Sequence, residues 1–299
     1  MKLWPSLAPY ARRLVLPGGE LFFYDSGGPA QKPAIMLIHG LGDEADTWRH
    51  IFLPLAEHGY RVIAPDMPGF GRSRWKGRIN VSRHASAVVS LLEASCAASP
   101  ENPAVLIGSS MGSGIAELAA FKRPDLAKTL ILLDGCFPFS GGLPRGFLLA
   151  ALPFAGKRWY RSFRINHEGA WRSLYPYYNN LEAMSGEDRA FLRERVIARV
   201  ESASQERGYF ASLRSLNAVS LFARSVYARR MKKFPGNVLL LWGGADRIFP
   251  VEKAAAFRSL RPGTALTPIA DAGHLPQQEK PDETASAILD FLKTPDDSV

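Results

Sequence analysis

The rhythm of apolar and polar positions changes twice along the chain. Over residues 13–134, short aliphatic runs alternate with amphipathic stretches. The runs at 13–16, 21–25, 34–39, 61–66, 104–108 and 129–134 have the length and composition of strands. Those at 35–38 and 130–133 are apolar at every position, the pattern of strands covered on both faces. Between them, stretches near 47–58, 82–97 and 111–123 carry helical spacing. This alternation predicts an α/β fold with a largely parallel sheet.

From about residue 137 to 233 strand-like runs vanish and aromatic, helix-period sequence takes over. Ser185, with Asp188 three positions on, predicts a helix start leading into Phe191, Val196, Ile197 and Val200. The first rhythm then resumes, with strands expected at 237–242 and 265–269 and helices at 251–260 and 281–292. The expected organisation is a core of residues 1–136 and 234–299 interrupted by a helical cap of residues 137–233. Such an insert is expected over the carboxyl edge of the strands, where open α/β sheets place their sites.

Composition narrows this picture. Apolar residues make up 46% and charged residues 22% of 299, a globular balance. The longest apolar candidate, 147–156, is interrupted by Pro153 and far shorter than a membrane span, which needs about 20 residues. The opening residues Met1-Lys2-Leu3-Trp4-Pro5 build no apolar h-region, so no secretory signal is expected. Cys96 and Cys136 fit no metal or redox spacing, and a cytoplasmic setting is expected. The net charge of +9 is concentrated in Lys157-Arg158-Trp159-Tyr160-Arg161-Ser162-Phe163-Arg164 and Arg229-Arg230-Met231-Lys232-Lys233. With no nucleic-acid-binding signature beside it, the charge reads as a solvated face rather than a nucleic-acid surface. A membrane surface is the weaker alternative for the basic aromatic stretch.

The chemistry begins at Gly108-Ser109-Ser110-Met111-Gly112, which lies between an apolar strand and a helix. A tight strand-to-helix turn at Ser110 requires residues without side chains two before and two after it, and both are glycine. Such a turn lifts a hydroxyl above the sheet and aims a helix N-terminus at it. Ser109 lacks this glycine frame and is expected to pack beside the turn. A serine nucleophile needs a base. Among six histidines, His50 and His58 fall on an expected surface helix, His84 on another, and His167 in the cap. His39 ends a strand and suits a backbone role. His274, in the loop Asp271-Ala272-Gly273-His274-Leu275-Pro276 after the last strand, is the expected base. Its carboxylate partner is expected to be Asp246, just past the strand at 237–242, with Asp134 at the end of the preceding strand as competitor. Two N–H donors for an oxyanion are expected from Met111, after the nucleophile, and from Leu41 in His39-Gly40-Leu41-Gly42.

These pieces, together with Asp66-Met67-Pro68-Gly69-Phe70-Gly71-Arg72-Ser73 and Gly243-Gly244-Ala245-Asp246, resemble the α/β-hydrolase family over nearly the whole chain. The resemblance includes the order nucleophile, acid, histidine. It implies an eight-stranded, mostly parallel sheet flanked by helices, with a helical cap after the sixth strand. It also implies a structural role for Asp66 and Arg72 beside the site.

Relatives that open epoxides or remove halogen carry aspartate where Ser110 stands, which argues against both activities. Relatives that hydrolyse carbon–carbon bonds of ring-fission diketones often carry tryptophan after the histidine, where Leu275 stands here. Ser113 also departs from a glycine common at that position. The expected activity is a cofactor- and metal-independent serine hydrolase acting on carboxylic esters of small to medium apolar substrates. The alternatives are a carbon–carbon hydrolase, a membrane-surface lipase using residues 157–164 as a lid, and a non-catalytic ligand-binding receptor. Phe137-Pro138-Phe139, Leu148, Leu149, Phe154, Trp159, Trp171 and Tyr175-Pro176-Tyr177-Tyr178 are expected mainly to pack the cap, with some facing the site.

Overall fold

In the computed structural model, which describes residues 2–28, 32–135, 137, 145–152 and 154–293, nine strands form one mixed sheet. They are β1 (Ala11–Leu16), β2 (Gly19–Asp25), β3 (Ile35–Ile38), β4 (Val62–Pro65), β5 (Arg74–Trp75), β6 (Ala104–Ser109), β7 (Ala127–Leu133), β8 (Asn237–Gly243) and β9 (Ala265–Ile269). The order is β1-β2-β4-β3-β6-β7-β8-β9, with β5 paired to β2. β1, β2 and β5 pair antiparallel, as do β2 and β4; every pair from β4 to β9 along the path is parallel. The ninth strand, beyond the eight expected, is the two-residue β5, too short to leave a periodic signal. Cys136, Pro138, Phe139 and Pro153 lie outside the described residues.

The all-apolar central strands serve two cores. Met36, Ile38, Leu130 and Leu132 point into one; Ile35, Leu37, Ile131 and Leu133 point into the other. Successive side chains leave a strand on opposite faces, so a strand buried on both must be apolar throughout. Helices α1 (Phe52–Glu57), α2 (Val81–Ala94) and α3 (Met111–Lys122) follow strands in the first half. The stretch expected as one helix at 47–58 is a 3₁₀ turn, Ala45–Trp48, followed by the short α1, which tolerates Pro54 in its first turn. Asn80 caps α2, its Oδ1 accepting from the Arg83 N–H at 2.8 Å.

Between β7 and β8 run α4 (Arg145–Ala150), α5 (Ala155–Ser162), α6 (His167–Arg172), α7 (Gly186–Glu201), α8 (Ala203–Phe222) and α9 (Arg224–Lys232). Ser185 starts α7, its Oγ accepting from the Asp188 N–H at 3.0 Å. Tyr160, Trp171, Tyr178, Leu192, Val196 and Phe210 bury one another in a third apolar cluster built by these helices. Helices α10 (Glu252–Leu260), α11 (Pro276–Glu279) and α12 (Pro281–Lys293) complete the chain. Helices α2, α3 and α10 cover one face of the sheet, and α1 and α12 the other. Among the described residues, no helix is long and apolar enough to cross a membrane.

Two side chains correct the expected placements. His84 is not on a surface: it is fully buried, and its Nε2 pairs with Ser212 Oγ at 2.8 Å, joining α2 to α8. Burial, reinforced by the nearby His39, pushes its pKa down to about 3, so it stays neutral. Phe137 packs in the main core against the α3 side of the sheet rather than in the third cluster.

Glu117 on α3 is fully buried and accepts the Phe137 N–H at 2.9 Å. Burial raises its pKa well above the usual carboxylate range. In the unfolded chain it ionises near pH 4, so its contribution to stability is full below that pH and is lost as pH rises toward the folded value. Glu117→Gln keeps the acceptor and removes the ionisation. The variant should therefore gain thermal stability over the wild type as pH rises from about 4 to about 8. Parallel melting curves check this; a difference independent of pH would contradict it.

Candidate active site

Ser110, between β6 and α3, is one of four non-glycine residues at positive φ among the described residues, with φ 54° and ψ −114°. A non-glycine residue there costs on the order of 1–3 kcal/mol and persists only when its surroundings enforce it. The Ser110 N–H donates to Leu133 O at 2.8 Å, and Ser110 O accepts from the Ser113 N–H at 3.0 Å. Glycines allow the approach: a Cβ on Gly108 would lie 2.3 Å from the Gly112 carbonyl carbon, and one on Gly112 would lie 2.1 Å from Ile38 O. Ser113, where glycine was the family expectation, donates to Gly108 O at 2.8 Å and Leu133 O at 3.2 Å. It pins the turn to both strands. Ser109 is buried beside the turn and accepts from Gln277 Nε2 at 3.2 Å.

His274 is 2% exposed, with ring centroids of Tyr177 and Phe249 5.7 and 5.6 Å from its own, and its backbone N–H donates to Tyr177 O at 2.8 Å. Its Nδ1 pairs with Asp246 Oδ2 at 2.8 Å. Asp246 Oδ1 accepts from the N–H groups of Ile248 and Phe249 at 2.7 and 3.0 Å, which fixes the carboxylate plane. The competitor Asp134 lies beside Asp246, its Oδ1 accepting from the Gly243 N–H at 2.7 Å. Burial first, and then the negative charge of Asp246, raise the Asp134 pKa well above the usual range. Donor atoms of Asp134, Asp246 and His274 lie within 4.8 Å of one another, near enough to hold a metal ion. The hydrogen bonds from His274 and Gly243 engage one oxygen of each carboxyl.

The loop after β3 carries Leu41. Its backbone passes beside Ser110: a Cβ on Gly40 would lie 3.4 Å from Ser110 Cβ. Met111 begins α3, where the first N–H groups have no acceptor within their own helix. His39 takes the backbone role expected of it, with Nε2 accepting from the Met67 N–H at 2.9 Å and Nδ1 against Gly40 O at 2.8 Å.

Charge then holds the loop. Asp66 accepts from the Ala45 N–H at 2.8 Å and from Arg72 Nε at 2.8 Å, and Arg72 also reaches Tyr24 and Asp46. From the other side Arg195 and Arg199 of α7 pair with Glu44, and Arg199 also with Asp43. Burial alone would raise the pKa of Glu44, but Arg199 and Arg195 hold it well below the usual range. Arg49 and His50 pair with Asp188 at the start of α7, at 2.6 and 2.8 Å.

Ser110, His274 and Leu41 line one cavity of about 680 Å³. Its walls are mostly apolar and aromatic, including Phe147, Trp159, Phe163, Tyr177 and Tyr209. Sequence reasoning missed the loop-to-α7 ion pairs, Tyr209, and the two glutamines of α11. Gln278 lines the cavity, accepts from Tyr178 OH at 3.0 Å and donates to Thr47 Oγ1 at 2.7 Å. Only the adjacency of Gln277 and Gln278 to His274 hinted at them.

The model of the alpha/beta hydrolase family matches residues 35–287. Lipase 1 of Psychrobacter immobilis is 25% identical over 94% of this chain and 83% of its own. The 2-hydroxy-6-oxononadienedioate/2-hydroxy-6-oxononatrienedioate hydrolase of Escherichia coli is 27% identical over 87% of each chain. Among solved structures, the 2-hydroxy-6-oxo-6-phenylhexa-2,4-dienoate hydrolase of a Rhodococcus species superposes with a TM-score of 0.77 at 19% identity, over 95% of this chain and 98% of that one.

The Glu44 pairs give a direct test of how the loop is held. Arg195→Ala leaves a buried carboxylate short of one partner, a change that typically costs about 3–5 kcal/mol. With Arg199 still in place, the loss of unfolding free energy should fall at the lower end, near 3 kcal/mol. Denaturant titration measures it; a loss below about 1 kcal/mol, as for a surface pair, would contradict the account.

Proposed function

We propose, from the premise that the chain belongs to the alpha/beta hydrolase family, that it is a serine hydrolase cleaving carboxylic esters with an apolar acyl or aromatic group. The observation that carries this reading is the constrained turn that presents Ser110 in the cavity lined also by His274, whose Nδ1 is held by Asp246. A bond from Nδ1 to a carboxylate selects the tautomer whose Nε2 lone pair is free to accept a proton.

The reaction follows from these roles. Ser110 Oγ attacks the ester carbonyl carbon as its proton passes to His274 Nε2. The carbonyl π pair moves onto oxygen, where the N–H groups of Leu41 and Met111 receive the negative charge. Collapse of this intermediate breaks the bond to the leaving oxygen, and His274 returns the proton to the departing alcohol. Water then attacks the acyl-Ser110, loses its proton to His274 and releases the carboxylic acid, restoring the serine. In this scheme the Asp246 carboxylate stabilises the imidazolium, while Asp134, whose carboxyl burial pushes toward the protonated form, supports the Gly243 backbone that leads into Asp246. Helices α4–α9 act as a cap that supplies most of the acyl pocket. Its aromatic lining favours an apolar group over a sugar or phosphate.

Ser110→Ala should lower turnover of a dissolved short-chain aryl ester by about 10³-fold or more with an unchanged fold. Asp246→Asn should lower it comparably, whereas Asp134→Asn, which keeps an acceptor for Gly243, should stay within about tenfold of the wild type. Steady-state kinetics on the three purified variants decides. Retention of activity by Ser110→Ala would remove the assignment, and loss in Asp134→Asn alone would exchange the two acids.

A further inference from the structure

The expectation that the apolar residues named for the cap mainly pack inward fails along one edge, at Leu148, Leu149, Phe154 and Trp159. Phe154 is 91% exposed, Leu149 65% and Trp159 46%, and Leu148 and Leu152 are exposed beside them. At the end of α8, Leu221 is 64% and Phe222 84% exposed. These positions belong to one surface. Asn217 Nδ2 donates to Phe147 O at 3.3 Å, which lays the C-terminal half of α8 beside α4, and the Gly156 N–H donates to Leu152 O at 3.1 Å, which ties α5 to the turn that follows α4. An apolar patch this concentrated on a protein surface marks a binding face.

Two further observations say what it meets. The patch is continuous with the cavity, because Leu149 and Trp159 line the cavity while remaining exposed. The chain segments that carry the patch hold no acidic residue, although Glu206 at the start of α8 pairs with Arg161 and Arg164 of the α5 region. No Asp or Glu occurs from Gly135 through His167, which hold five Lys and Arg, or from Arg207 through Ala245, which hold seven. Arg158 and Arg224 flank the patch as exposed cations. Apolar side chains rimmed by Lys and Arg suit a surface with an acyl interior and anionic headgroups.

We propose that the face formed by α4, α5 and the end of α8 docks on an anionic phospholipid bilayer. In the docked orientation Phe154 and Phe222 enter the headgroup boundary, Arg158 and Arg224 meet lipid phosphates, and the cavity mouth at Leu149 and Trp159 opens toward the acyl region. An ester partitioned in the bilayer then reaches Ser110 without crossing water. The docking does not depend on which bond Ser110 cleaves; the route to Ser110 rests on the hydrolase reading above.

The test is flotation of the full chain with vesicles of phosphatidylglycerol or of phosphatidylcholine, run in parallel with turnover of a dissolved short-chain ester. Wild type and Ser110→Ala should both float with phosphatidylglycerol, be released by salt, and bind phosphatidylcholine at least about tenfold more weakly. Phe154→Ser with Phe222→Ser, and separately Arg158→Glu with Arg224→Glu, should each weaken binding by about tenfold or more while leaving turnover of the dissolved ester unchanged. Failure of the wild type to float, or binding indifferent to both pairs, would overturn the proposal. Self-association abolished by the same substitutions, without vesicle binding, would overturn it in favour of a dimer face. Vesicle binding by a protein with no ester turnover would leave the docking standing and remove the hydrolase reading instead.

Discussion

The backbone at Ser110 is the constraint on which the rest of the structure converges. A serine with φ 54° and ψ −114° is held by hydrogen bonds to Leu133 and Ser113. The space it needs exists only because Gly108, Gly112 and Gly135 have no side chains; a Cβ on Gly135 would lie 2.8 Å from Ser110 O. The parallel strands β3, β6 and β7 fix where those backbones meet, and their all-apolar sequences fix the strands between two cores. The strain at one residue is thus maintained by burial across the whole sheet.

Around that point, two different physical devices place the remaining groups. His274 is set by short-range contacts: Asp246 at 2.8 Å on one ring nitrogen, the rings of Tyr177 and Phe249 near its own, and its backbone N–H on Tyr177 O. The Leu41 loop is set by charge, clamped between Arg72 with Asp66 below and Arg195 with Arg199 above. Because those two arginines belong to α7, the helical segment is anchored to the same loop that borders Ser110. The pocket walls and the loop beside Ser110 are therefore mechanically linked, and a change in how α7 seats would be felt there.

How much of this was legible in the sequence follows from the range of each interaction. Strand identity, the glycine frame of Ser110 and the Ser185 helix start are local patterns, and each is found where the residues placed it. Asp246 and His274 stand out by their positions after strands, and the structure brings them within hydrogen-bonding distance. The pairs of Glu44 with Arg195 and Arg199 join residues more than 150 positions apart, and no periodicity announces them. His84 misled because its α2 is amphipathic toward the sheet, while its own face is covered by α8 through Ser212. Phe154 and Leu149 misled for the opposite reason: large apolar residues read as core, and here helices leave them outside.

The account stands or falls on a covalent bond to Ser110. His274→Ala should still be acylated slowly by an activated aryl ester, and without its base for the attacking water the acyl-enzyme should accumulate. Intact-protein mass spectrometry after brief exposure, followed by peptide mapping, should find one acyl group per chain on the peptide containing Ser110. Turnover of the same ester by the wild type with no adduct in any variant, or an adduct on a different residue, would contradict the account.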